Sequence, residues 1–338
     1  MPAYPFAEPP AFGQGLLVAP GLYWLRMPLP FALDHVNLWL LEDEGGWALV
    51  DTCVPDRATR TLWEGLFGGL MAGRPLTRLL VTHFHPDHMG LADWLGRRFG
   101  LPMQAPLAEW LYGRMLSLDA SPDFVRISLE FYREAGFPPA LLDLVARRGN
   151  AYGARIRHIP PACTALRDGE LLRFGGEAWR VLLAEGHSPA MACFYGPGRK
   201  ILISGDQVLP SISPNVSLWP NQPDADPLGL FLDSFAAFRA LPDDVLVLPS
   251  HGRPFHGLKP RLDELETHHQ QRLRAVRQAC GTPQSAYDLL PLLFSRALDD
   301  HQLFFAIGES LAHLRFLERR GELVSALGES GVRFYRAG

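Results

Sequence analysis

The sequence predicts an α+β protein with functional groups gathered at the ends of its strands. Three observations carry that expectation. Short apolar runs of strand length alternate with segments of helical periodicity. Four of those apolar runs lead directly into a His or an Asp. A helical block interrupts the strand-rich part, and the C-terminal stretch follows a pattern of its own.

Residues 1–15, rich in Pro, Gly and Ala, read as an irregular arm. Strand-like runs at 16–19 and 22–26 flank Pro20-Gly21, and two apolar runs in NLWLLEDEGGWALVDT surround Glu44-Gly45-Gly46, a hairpin signal. Residues 61–71 have helical spacing, 78–82 form a short apolar strand, and 90–99 return to helical periodicity. From about 103 to 150 the apolar positions suit two or three helices, broken at Pro122 and at Pro138-Pro139. Strands resume at 178–183, 192–195, 200–203 and 245–248, with a helix over 227–240 between them. Helices are expected at 261–278 and 282–297. A helix over 307–320, stopped by Gly321, and a hairpin of 322–326 with 332–336 complete a winged-helix pattern.

A chain of 338 residues has room for two domains, or for one large domain with an appendage. With 47% hydrophobic and 20% charged residues it is neither disordered nor fibrous. A net charge of −4 argues against a general nucleic-acid binder, whose affinity rests on neutralised phosphates. Cys53, Cys163, Cys193 and Cys280 are widely spaced and indicate neither a disulfide framework nor a thiolate zinc site. MPAYPFAEPPAFGQG has no basic segment and no apolar core of a signal peptide, and no long apolar run follows. The expectation is a cytoplasmic protein without a membrane partner.

LLVTHFHPDHMG is the most informative segment. His83, His85, Asp87 and His88 spell H-x-H-x-D-H. Histidines at i and i+2, leaving the end of a strand, can point to one side, and Asp87 and His88 follow on a turn into a helix. Neutral imidazole and carboxylate are good ligands for zinc and its neighbours. The pattern recurs in WRVLLAEGHS, KILISGDQ and DDVLVLPSHG, where His187, Asp206 and His251 each lie just beyond an apolar run. Two close sets of ligands suggest two metals.

H-x-H-x-D-H followed by G-H-S, G-D and S-H-G resembles the metallo-β-lactamase superfamily. The resemblance implies a four-layer αββα sandwich with a two-metal site along one edge. It covers residues 15–257, with a helical insertion at about 103–150, then a linker helix at 258–281 and a winged-helix-like domain at 282–338. It implies that His83, His85 and His187 hold one ion, that Asp87, His88 and His251 hold the other, and that Asp206 bridges them. Zinc is the first expectation, with iron or manganese as alternatives. The implied nucleophile is a hydroxide between the metals, oriented by Asp87, which also serves proton transfer to the leaving group. Asp51 matches an aspartate that supports the metal site from behind its ligands.

Subclass follows from the same residues. His85, where a diiron flavoprotein would carry Glu, and the bridging Asp206, which true β-lactamases of this fold lack, make the chain resemble the glyoxalase-II-like branch. The implied activity is hydrolysis of a small ester or thioester. The alternatives are a lactonase and a metal-dependent RNA endonuclease or phosphodiesterase. After Gly186-His187-Ser188-Pro189 stand Ala190 and Met191, where the family often has Gly and His.

Residues 282–338 carry six Arg against seven Asp and Glu, so a nucleic-acid role is not expected. They read as packing on the catalytic core or on a second subunit, a homo-oligomer. Trp110, Tyr112, Met115, Phe124, Phe131 and Tyr132 are candidates to roof an apolar cleft. Ser211, Ser213, Asn215 and Ser217 are candidates to line it, and Asn215 and His256 are the candidate substrate contacts. His35, His158, His268, His269, His301 and His313 have no motif partners.

Overall fold

The computed structural model describes residues 2–31 and 33–338. One sheet has the order β1-β2-β3-β4-β5-β6-β7. Its antiparallel meander is β1 (Gly15–Ala19), β2 (Leu22–Pro28), β3 (His35–Asp43) and β4 (Gly46–Val50). To it β5 (Leu76–Leu80), β6 (Met103–Pro106) and β7 (Cys163–Leu166) add in parallel. The second sheet has the order β12-β11-β10-β9-β8. In it β8 (Leu171–Phe174), β9 (Glu177–Ala184), β10 (Met191–Gly196) and β11 (Ile201–Gly205) are antiparallel, while β12 (Leu246–Pro249) runs parallel to β11. A separate hairpin joins β13 (Leu323–Leu327) to β14 (Arg333–Ala337).

The helices are α1 (Arg57–Gly68), α2 (Pro86–Met89), α3 (Ala92–Phe99), α4 (Leu107–Leu118), α5 (Pro122–Glu134) and α6 (Pro139–Arg148). Then come α7 (Ala151–Arg155), α8 (Pro227–Arg239), α9 (Leu258–Ala279), α10 (Leu290–Leu293) and α11 (Asp300–Arg319). Among the described residues no helix is long and apolar enough to cross a membrane.

Strand alternation sorts the side chains into layers. On β3, Val36, Leu38 and Leu40 bury against Trp63, Leu66 and Phe67 of α1. Trp39 and Leu41 face the other way and meet Phe174, Trp179, Val181 and Phe194 of the second sheet. On β11, Ile201 and Ile203 join that inter-sheet core, while Leu202 packs with Phe231, Phe235 and Phe238 of α8. Helix, sheet, sheet, helix is the resulting order of layers, a mixed α/β architecture. Truncating a fully buried aromatic between the sheets, such as Trp179, would cost ~3–5 kcal/mol.

Several elements differ from the sequence reading. Met103–Pro106 is a strand and not part of the helical block, because it fills the slot between β5 and β7; the helices run from 107 to 155. Strands β7 and β8 are missing from the reading, since four residues each are too few to show alternation. No continuous helix spans 282–297. Pro283 and Pro291 interrupt it, Ser285 and Asp288 bond each other's backbone in a turn, and Gln284 bridges to Tyr335 of β14. Helix α11 begins seven residues earlier than expected, because Asp299 and Gln302 close a capping box. Its Phe304, Ile307, Leu311, Leu314 and Leu317 lie in one core with α8 and α9. The C-terminal segment therefore packs on the layered body of the protein through its apolar face.

Candidate metal centre

The two sheets are tied together at one edge. Asn37 of β3 is fully buried; its Nδ2 donates to the carbonyls of Pro249 and Gly252, both at 2.8 Å, and its Oδ1 accepts from Trp24 Nε1 at 2.7 Å. Across the same edge the Ala192 N–H donates to the Thr82 carbonyl at 2.9 Å. Strands β5, β9, β11 and β12 end there, and the residues just beyond them converge. Gly186 and Gly205 permit two of the exits. A Cβ on Gly186 (φ +105°) would lie 2.6 Å from the Phe231 backbone nitrogen, and one on Gly205 (φ +54°) 2.7 Å from Met191 Sδ.

Each of four histidines is held from behind. Nδ1 of His88 bonds Asp51 Oδ2 at 2.8 Å, and Nδ1 of His83 bonds Thr82 Oγ1 at 3.0 Å. Nδ1 of His187 bonds the Asn215 carbonyl at 2.8 Å, and Nδ1 of His251 the His35 carbonyl at 2.7 Å. With Nδ1–H donating to these acceptors, every Nε2 presents a lone pair to the interior of the cluster. Asp51 is itself fixed: it takes the Thr82 N–H at 2.8 Å and the Thr82 hydroxyl at 2.8 Å, from a left-handed backbone (φ 66°). Such strain, ~1–3 kcal/mol, persists where surrounding bonds over-determine it.

The inward atoms form two lobes around Asp206. His83 Nε2 and His187 Nε2 lie 3.0 and 3.1 Å from His85 Nδ1. On the other side Asp87 Oδ2 is 3.5 Å from both His88 Nε2 and His251 Nε2. Asp206 reaches both lobes, with Oδ2 3.5 Å from His187 Nε2 and 3.4 Å from His251 Nε2, and Oδ1 3.6 Å from His88 Nε2. His88 Nε2 and Asp206 Oδ1 are buried and have no hydrogen-bond partner. Buried polar atoms left in this way call for an ion or water. Ligands ~2.1 Å from a tetrahedral zinc are ~3.4 Å apart, close to the separations around Asp206. Three ligand groups fit a cation: His83, His85 and His187; His83, His88 and Asp206; Asp87, His88 and His251.

Electrostatics favour the ligating state of His83, His85 and His187 and of both carboxylates, while His88 and His251 are drawn toward the protonated form, a proton that a bound cation would displace. Burial drives His83 and His85 toward neutral imidazole, taking His85 down to about 3. Burial acts the same way on His88, but the charges of Asp87, Asp206 and Asp51 outweigh it and raise its pKa. Burial would protonate Asp87 and Asp206; the neighbouring histidines, His88 for Asp87 and His251 for Asp206, hold both carboxyls well below the usual range.

Glu109, in the first turn of α4, is a site residue that sequence reasoning missed. It is fully buried and accepts from Phe84 N at 3.0 Å, Ser188 Oγ at 2.7 Å and Ala190 N at 2.6 Å. It thus clasps the loop bearing His83 and His85 to the loop bearing His187. Burial outweighs the three donors and pushes its pKa up to about 7. The signal was a single carboxylate in an otherwise apolar helix start, LAEWLYG. Tyr152 of α7 adds a second clasp, its hydroxyl donating to the Phe84 carbonyl at 2.6 Å.

A cavity of about 180 Å³, partly open to solvent, extends from His85 and Pro86. Of the proposed roof residues, Tyr112, Phe124 and Tyr132 line it. Trp110, Met115 and Phe131 do not: Trp110 donates to the Pro160 carbonyl, Met115 faces solvent and Phe131 packs on the core. Helix α11 supplies His301, Phe304 and Phe305 to the same wall.

One expected substrate contact is corrected. His256 bonds the Val245 carbonyl, at the opposite end of β12 from His251, because residues 254–256 turn back antiparallel along that strand. Asn215 serves His187 through its backbone carbonyl, and its side chain accepts from Ser217 Oγ at 2.7 Å. Ser213 bonds His269, and Ser211 is exposed.

A layered fold with imidazole and carboxylate ligands at the strand ends defines a class of metal-binding α/β proteins. The metallo-beta-lactamase superfamily model matches residues 32–251, and a metallo-beta-lactamase-like C-terminal domain matches residues 273–337. The chain belongs to the metallo-beta-lactamase superfamily, and by family and ligand cluster it is a metal-dependent hydrolase. It is similar to a beta-lactamase domain protein from Burkholderia ambifaria, 42% identical, with a TM-score of 0.93 over 100% of this chain and 98% of that one. The metallo-beta-lactamase family protein TTHA1429 from Thermus thermophilus is 32% identical, with a TM-score of 0.80 over 95% and 100% of the two chains. A Bacillus subtilis (strain 168) protein described as "Probable metallo-hydrolase YqjP" is 24% identical over 89% of this chain and 93% of its own length.

Proposed function

We propose that the chain is a dinuclear hydrolase of a small carboxylic ester or thioester, with zinc as the metal that suits its donors. The observation that carries the reading is the inward Nε2 atoms of His83, His88, His187 and His251 around Asp206, these four imidazoles fixed through Nδ1 from outside. His83, His85 and His187 would hold one ion, Asp87, His88 and His251 the other, with Asp206 shared. Bound divalent ions supply a nucleophilic water at neutral pH and polarise the carbonyl. Asp87, kept ionised by His88, orients the attacking water through a carboxylate oxygen and takes its proton for the leaving group. Glu109 and Asp51 keep the ligand loops in place. The aromatic wall beside His85 excludes water and receives the apolar part of the substrate.

The order α10, α11 and a hairpin, with Gln284 bridged to Tyr335, supports a winged-helix reading of 282–338. In it Arg315 and Arg320 are engaged with Asp224 and Asp226, and Arg319 with the Asp224 carbonyl, which supports a packing role over a nucleic-acid one.

The test is metal content and turnover together. Purified zinc-loaded protein is expected to hold about two ions per chain and to hydrolyse aryl esters or acyl thioesters in preference to lactones and RNA. One ion per chain, or turnover of RNA alone, would defeat the reading.

A further inference from the structure

The cavity beside His85 holds two cationic groups that, among the described residues, make no ion pair; Asp300 and Asp87 act on Arg148 and Arg155 only from a distance. Arg148 closes α6 and Arg155 closes α7, and both line the cavity. Among the described residues neither forms an ion pair or a hydrogen bond, whereas Arg272, Arg320 and Arg333 hold Glu309, Asp226 and Glu134. Instead each lies over an aromatic ring: Arg148 Cζ is 4.0 Å from the Phe304 ring centroid and Arg155 Cζ 4.8 Å from that of Phe31. Such a contact fixes a guanidinium while leaving its N–H groups free for a carboxylate, sulfonate or phosphate.

A third group points the same way. The His301 ring is sandwiched between Phe31 and Phe305, with centroids 5.1 and 5.0 Å away, and its Nδ1 is buried without a partner. Burial, then the charges of Arg155 and Arg148, press its pKa down to about 4, so it is a neutral imidazole with an unused polar atom. The rest of the wall is mostly apolar, with Ser128, Asn150 and Asn221 among its polar residues, as suits a pocket for a small organic ligand.

We propose that this cavity binds an amphiphilic anion, an aryl or alkyl acyl group with a negatively charged substituent at a distance from the carbonyl, its charge received by Arg148 and Arg155 and its polar edge by His301. As an account of the substrate it rests on the hydrolase reading above; as a binding site it does not. Phe304 lies under Arg148, and His301 and Phe305 line the same cavity, so α11 takes part in selecting the acyl group.

Calorimetry on the zinc-loaded full chain tests the site, with 4-phenylbutane-1-sulfonate against the neutral 4-phenylbutyl methyl sulfone. Sulfonate is a poor zinc ligand, so its charge reports on the pocket. The sulfonate is expected to bind at least ~10-fold more tightly, the scale of one or two charge-assisted contacts. Arg148→Gln with Arg155→Gln is expected to erase the preference and leave sulfone affinity and the thermal midpoint unchanged. Arg148→Lys with Arg155→Lys is expected to retain part of it. Equal affinities in the native chain, or a preference that survives the double Gln variant, would overturn the proposal. A second arm compares hexanoyl and 5-carboxypentanoyl thioesters of N-acetylcysteamine. A carboxylate preference in kcat/KM that the double Gln variant loses supports the substrate assignment. Turnover without that preference overturns the assignment and spares the hydrolase reading. No turnover of either thioester, with the sulfonate preference intact, overturns the thioesterase reading and leaves the anion site standing.

Discussion

The ligand edge and the wall of the neighbouring cavity are fixed by different forces. At the edge, directional bonds of 2.7–3.0 Å set each imidazole: His88 on Asp51, His83 on Thr82, His251 and His187 on backbone carbonyls. In the wall, rings and guanidiniums lie against one another: Arg148 on Phe304, Arg155 on Phe31, His301 between Phe31 and Phe305. The edge comes from strand ends that share one hydrogen-bonded frame. The wall comes mainly from two helical stretches, 107–155 and 300–305, far apart in the chain, joined by Phe31 and by residues 84–86 and 219–221. A metal site needs lone pairs aimed to within tenths of an ångström, which hydrogen bonds provide. A pocket needs shape and desolvation, which such packing provides and which can change without disturbing the frame.

Substitutions should separate the two regions. The largest effect is expected at the edge. Asp87→Ala removes a ligand and the water-orienting carboxylate together, and turnover should fall at least ~100-fold. Metal analysis should show the ion of the His88 and His251 lobe lost first; near-normal kcat would place Asp87 outside the mechanism.

Next comes Glu109→Ala. Three donors would lose their buried acceptor, at ~1–3 kcal/mol for each group left unpaired. Thermal unfolding should show a marked loss of stability, with turnover reduced alongside. Glu109→Gln, which retains an acceptor for Ser188 and Ala190, should recover most of both. Equal loss in the two variants would show that the carboxylate's charge, and not its clasp, matters.

A smaller effect depends on pH. His313 of α11 bonds the Glu309 carbonyl through Nδ1 and His269 through Nε2, beside Arg272 and His268. Burial depresses its pKa to about 4. Between ~6.5 and that value the unfolded chain binds a proton that the native chain excludes. Its contribution is therefore full above ~6.5 and declines as pH falls, by up to ~1.4 kcal/mol per unit. Hydrogen exchange of the α11 amides should accelerate over this window, and the acceleration should be shallower in His313→Gln. The same slope in both chains would assign the effect elsewhere.

The smallest effect belongs to the wall. Phe124→Ala should shift the ratio of kcat/KM between short and long acyl substrates by ~1–2 kcal/mol while metal content stays the same. Trp110→Ala should lower only the thermal midpoint, since its ring is outside the cavity. If Trp110→Ala shifts the ratio and Phe124→Ala does not, the wall has been drawn with the wrong residues.

Legibility in the sequence followed the same division. His83, His187, Asp206 and His251 could be found because each follows an apolar run whose end is visible without a structure. The layered arrangement was legible only through the resemblance that these motifs carry; the alternation of strands and helices marked elements without their layering. Glu109 was not legible, since one carboxylate in a helix start looks the same whether it faces solvent or two backbone N–H groups. His256 was misplaced for a related reason. Five residues after His251 is near in sequence, but the chain turns back along β12 and carries it to the far end. The continuous helix expected over 282–297 gave way to a turn and the short α10, because Ser285 and Asp288 offered the backbone other partners and Pro283 and Pro291 removed two N–H donors.

The sequence by itself determined which side chains could ligate and the order of the strands that deliver them, because covalent neighbours set the exit of a strand. Only the tertiary structure decided which nitrogen of each histidine faces inward. The carbonyls of His35 and Asn215 that settle it belong to a backbone every residue shares, and they act across 216 and 28 positions of the chain. It also decided which aromatic residues of 107–155 look into the cavity and that α11 closes it. Helical periodicity marks an apolar face, whereas the partner of that face depends on how distant layers dock.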